Sequence, residues 1–105
     1  MEYDIGAFVQ SLIGLRLVDV LARLQREIRD HEGLIAGGHR GAPHYRSVGV
    51  PEYVAGLKDL SFLLHTGGKP DSRYARMDLY EPLVRSLVGT GDLKPMALDV
   101  FSSSS

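Results

Sequence analysis

The chain has 105 residues, 12 of them basic and 13 acidic, so one domain is expected and no overall field draws it to nucleic acid or an anionic membrane. It holds no cysteine, which excludes a disulfide framework and thiolate metal ligands. No apolar run reaches the roughly 18–20 residues of a membrane span, and the acidic opening around Glu2 and Asp4 is unlike a secretory leader. A soluble, cytoplasmic protein is expected.

The first element is a helical pattern from Asp4 to about Glu32. Leu17, Leu21, Leu24 and Ile28 share one face, and Ile5, Phe8, Val9, Leu12 and Ile13 extend the apolar surface upstream. Arg16, Asp19, Arg23, Arg26, Glu27 and Asp30 form a charged stripe opposite, with Asp19 and Arg23 in the favourable acid-first order. Leu15, Val18 and Val20 widen the apolar side beyond what one packing partner covers. The spacing predicts one long helix, kinked near Gly14 and capped at Gly33. Its excess apolar area predicts self-association of two copies through Leu17, Leu21, Leu24 and Ile28.

Residues 35–49 have no period and are dense in glycine, a length at which loops are usually functional or flexible. Pro51 suits a first helical turn, and Tyr53, Leu57, Leu60 and Leu64 share a face, with Val54, Phe62 and Leu63 adding apolar surface. This helix is expected to be the most buried. It runs into Thr66-Gly67-Gly68-Lys69-Pro70, a phrase resembling Thr90-Gly91-Asp92-Leu93-Lys94-Pro95 further on. Ordinary helix-stop chemistry explains the likeness more simply than duplication does. Asp78 and Glu81 have capping-box spacing for a third helix, whose buried side is Leu83, Val84, Leu87 and Val88 and whose Pro82 must fall near its first turn. Pro95 opens a short terminal helix that docks Met96, Val100 and Phe101. No alternating strand pattern is present. The fold class expected is all-α: a single helical domain over residues 1–101, followed by a serine tail at 102–105.

Five groups of residues are candidates for function. His39, Arg40, His44, Tyr45 and Arg46 place cationic groups and a ring in the glycine-rich loop, suited to an acidic protein partner. His31, His39, His44 and His65 include imidazoles that metals favour, but their spacing matches no metal motif, and no metal or other cofactor is expected. Ser61 and His65 are i,i+4 neighbours, yet Asp59 points elsewhere and no nucleophile elbow exists. No enzyme is therefore expected. Lys69, Arg73 and Arg76 beside the second and third helices make a nucleic-acid regulator the alternative, although the connection is too long for a helix-turn-helix. The fifth group is the apolar face of the long helix. The leading expectation is a non-catalytic interaction or regulatory module, homodimeric through that helix.

Overall fold

The computed structural model describes residues 4–36 and 49–102. Among them are four α-helices, α1 (Ile5–Gln10), α2 (Leu17–Ala36), α3 (Val50–Thr66) and α4 (Met77–Gly89), then a 3-10 helix (Pro95–Phe101). None of these helices is long and apolar enough to cross a membrane. The all-helical class is as expected, but the long first helix is two helices.

The break is local and has an identifiable cause. Asp4 caps α1 by accepting from the Ala7 N–H at 3.1 Å. Backbone bonds of the i→i+3 kind then carry the turn onward from Leu12 to Val9 and from Ile13 to Gln10. At Gly14 the backbone takes φ +97°, a left-handed value that side chains resist. The Gly14 N–H donates to Ser86 Oγ at 3.2 Å, and the Leu17 N–H, an orphan donor of the α2 start, donates to Asp92 Oδ2 at 2.8 Å. Arg16 forks onto the same carboxylate, with Nε at 2.8 Å from Oδ2 and a terminal nitrogen at 2.6 Å from Oδ1. Asp92 thus supplies from the far end of the chain the cap that α2 lacks locally.

Those bonds hold the Asp92 carboxyl far below the usual carboxylate range, the Arg16 bond first and the Leu17 N–H next. A depressed carboxyl contributes stability above its unfolded pKa, 3.8, and loses that contribution as pH falls through the folded value. Asp92→Asn is therefore expected to lower the melting temperature at pH 7 by more than Arg85→Ala, which removes only an exposed i,i+4 pair with Glu81. The gap between wild type and Asp92→Asn should narrow below about pH 4, as thermal unfolding across a pH series will show. A constant gap down to pH 2 contradicts this role.

The core joins residues from every α-helix: Ile5 and Val9 of α1, Val20 and Leu24 of α2, eight positions of α3, and Tyr80, Leu83, Val84 and Leu87 of α4, with Leu12 from the turn. α2 packs chiefly on α3, while α1 lies against α4 and α3, and the terminal helix covers α4. Gly56 lets α1 come close: a Cβ built there would sit 2.6 Å from Ile5 Cδ1 and 3.4 Å from the Tyr74 carbonyl oxygen. The same residue's carbonyl accepts from buried Tyr80 Oη at 2.7 Å. That satisfies a phenol whose burial pushes its pKa up to about 12.

Three local expectations are corrected. Gly33 lies within α2, which runs on to Ala36, and its φ is not left-handed. Asp78 and Glu81 form no capping box; Arg76 stands at the N-cap of α4 without a side-chain cap, Asp78 approaches it at 3.5 Å, and Glu81 pairs with Arg85. Pro82 falls inside α4, past its first turn. The two helix stops do share chemistry. Thr66 and Thr90 each donate back to a carbonyl of their own helix, and Gly67 and Gly91 both take positive φ.

Candidate functional site

Of the face expected to meet a second copy, Leu24 is fully buried and is core, because α3 covers that side of α2. Leu17, Leu21 and Ile28 are half-buried and pack against the same core. The apolar side chains left outside this cover are different ones. Val18 is 73 % exposed on the first turn of α2, and Ile13 is 41 % exposed in the turn just before Gly14. The two flank the α1–α2 break.

A second apolar region lies at the C-terminal end of α3. A groove of about 320 Å³ runs between Leu63, Leu64, His65, Thr66 and Gly67 of α3 and its cap, Val84 of α4, and Leu93, Met96 and Ala97. Met96, expected to dock inward, is 68 % exposed on this groove, whereas Val100 and Phe101 do pack on the core. Phe62, one turn before Thr66, is 49 % exposed, whereas the four leucines of α3 are all buried.

The polar candidates separate. His39, Arg40, His44, Tyr45 and Arg46 lie outside the described residues. His31 and His65 stand on different helices with their own bonds: His31 Nδ1 meets the Glu27 carbonyl at 2.9 Å, and His65 Nδ1 meets the Ser61 carbonyl at 2.8 Å. Among the described residues no three of His, Asp and Glu gather as a metal would require. His65 Nδ1 is 3.3 Å from Ser61 Oγ, but its hydrogen serves the nearer carbonyl, so that nitrogen does not act as base to the hydroxyl. Asp59 does not complete the set; its Oδ2 is buried with no hydrogen-bond partner.

Lys69, Arg73 and Arg76 all lie exposed on the connection between α3 and α4. Arg73 stacks 5.1 Å from the Tyr74 ring centre and donates to its hydroxyl, while Arg76 approaches Asp78. Between Thr66 and Met77 the path is too long for the tight turn of a DNA-reading helix pair.

One polar cluster escaped sequence reading. Tyr53 Oη donates to Glu27 Oε2 at 2.7 Å, and the His31 ring tilts against Tyr53 with centroids 4.9 Å apart. Burial first, then the Glu27 bond, raises the Tyr53 pKa strongly. The phenol therefore stays protonated and pins α2 to α3, which is a packing role. The chain matches no protein-family model, no curated protein and no solved structure.

Proposed function

We propose that this chain is a non-catalytic interaction module that forms a homodimer through its N-terminal helical segment. The observation that carries the reading is the pair of apolar side chains flanking the α1–α2 break, Val18 and Ile13, left exposed where the other large apolar side chains from Ile5 to Ile28 are buried or half-buried. An uncovered β-branched pair beside a helix start suits an isologous contact, in which the same patch meets itself across a two-fold axis. The contact surface is thus the outer side of the segment, with Leu17 and Leu21 at its margin and Leu24 excluded. The basic loop with Arg40 and Arg46 joins this reading on its sequence alone, as the part offered to an acidic protein partner. A cytoplasmic setting belongs to the same reading and accords with a chain free of cysteine. The nucleic-acid alternative gains no support from the placement of Lys69, Arg73 and Arg76.

Light scattering on the purified chain tests the proposal. A dimer mass at micromolar concentration that Ile13→Ser with Val18→Asp converts to a monomer mass is the expected result. A monomer mass at all concentrations overturns it.

A further inference from the structure

We infer that the dimer forms by exchange of α1: the α1–α2 turn straightens and α1 seats in the α3–α4 cradle of a second copy. This inference rests on the self-association reading and specifies its mechanism. Four observations carry it.

The turn is nearly helical already. Residues 11–13 keep i→i+3 backbone bonds, and the reversal is concentrated at Gly14, the one positive φ of the segment. Straightening thus requires few backbone changes, and it gives the Leu17 N–H a helical acceptor in place of Asp92.

The closed form is held by contacts remote in sequence, Gly14 N–H to Ser86 and Arg16 with Leu17 N–H to Asp92. Their loss leaves the α1 seat itself intact. That seat is a slot of α3 and α4 that receives Ile5 and Val9 and is shaped by Gly56. It takes the same α1 from either copy.

A straight helix also cannot fold back on its own core. At 100° per residue, the apolar faces of residues 5–13 and 17–28 differ by roughly 110° around a continuous helix, so α1 would point away from its own α3. Its apolar face then needs a second molecule.

Lastly, Ile13 and Val18 flank the hinge and are exposed in the closed chain. Exchange brings the two hinges of a dimer side by side, where Ile13 of one copy is covered by the other; Val18, roughly 140° away around the straight helix, stands at the edge of that contact.

Gly14→Ala tests the exchange. A side chain resists the left-handed φ of the closed form, by a factor of about five per hinge and about thirty-fold per dimer, and the better helix propensity of alanine adds in the same direction. A Cβ on Gly6 lies 3.5 Å from Leu79 Cδ2, so Gly6→Cys with Leu79→Cys reports which molecule holds α1, in a chain otherwise free of cysteine. The protein is refolded at high concentration, diluted and joined with a short bis-maleimide. In the Gly14→Ala background, covalent dimers are expected, with an association constant raised about thirty-fold or more over the Gly14 chain. A dimer mass with links only inside each chain overturns exchange and leaves self-association standing. A monomer mass with intrachain links overturns both. Should circular dichroism show Gly14→Ala unfolded, Asp92→Ala, which removes the Arg16 and Leu17 contacts that hold the closed hinge without altering α1 or its seat, decides by the same three outcomes.

Discussion

Gly56→Val is expected to destabilise the chain by about 3 kcal/mol, the upper end of the usual cost of overpacking. A Cβ at this position already falls 2.6 Å from Ile5 Cδ1 and 3.4 Å from the Tyr74 carbonyl oxygen, and valine adds two methyl groups in a helix that restricts its χ1. Ile5 is buried, so it has no solvent to retreat into. The relief that a flexible surface side chain would find by swinging into solvent is therefore absent here. The same displacement disturbs Tyr80, whose hydroxyl bonds the Gly56 carbonyl, a contact of about 1 kcal/mol on its own. Gly56→Ala should fall between wild type and valine, because a gain of about 1 kcal/mol in helix propensity offsets part of the crowding. Urea unfolding followed by circular dichroism checks the series. An unchanged midpoint for Gly56→Val means that α1 does not seat on α3.

Leu24→Ala should cost about 3 kcal/mol, within the range for truncating a fully buried leucine, because the cavity it leaves is lined by α3 and closes only in part. The measurement that checks it is again the unfolding midpoint, taken at low protein concentration where no dimer forms. Loss of stability under those conditions identifies Leu24 as core of the single chain. A variant of normal monomer stability but weakened dimerisation reverses the assignment and returns Leu24 to the contact surface. Val18→Asp provides the contrast: its side chain is largely in solvent, so its effect on monomer stability should stay within about 0.5 kcal/mol.

The helical class, the span of α3 and the core face of α4 were legible in the sequence because their apolar spacing is local and their ends carry ordinary stop residues. Pro51 in the first turn of α3 and Gly67 beyond its end stand where that grammar puts them. The split of the first helix was partly legible. On a continuous helix, Arg16 would lie on the line of Ile5, Val9 and Leu12, and the charged stripe of residues 16–30 would overlay their apolar face, so one straight helix was inconsistent with its own pattern. What no local pattern reveals is the acceptor that makes the break stable. Asp92 is 76 positions from Arg16 in the chain, and it reads in isolation as one more turn residue after Gly91. What covers the face centred on Leu24 was hidden for a related reason. Its spacing marks it as a packing face, but whether α3 or a second copy lies on it is decided by tertiary packing rather than by local pattern. The capping-box spacing of Asp78 and Glu81 misled because α4 begins at Met77, with Arg76 at its N-cap, so Asp78 stands inside the first turn rather than at the cap.

The exposed groove lined by Leu63, Leu64, Val84, Leu93 and Met96 is separate from the α1–α2 corner in its residues and elements. The contact proposed through Ile13 and Val18 involves none of the side chains that line it. The two surfaces can therefore be altered independently, and a change at Met96 is a suitable control for specificity at the corner.

The most direct test of the central claim is sedimentation velocity on the full chain across a wide concentration range, beside the Ile13→Ser, Val18→Asp double variant. The parent chain is expected to shift from monomer to dimer as concentration rises, and the variant to give a single monomer boundary. A parent chain that remains monomeric throughout, or a variant that dimerises as well as the parent, contradicts the claim.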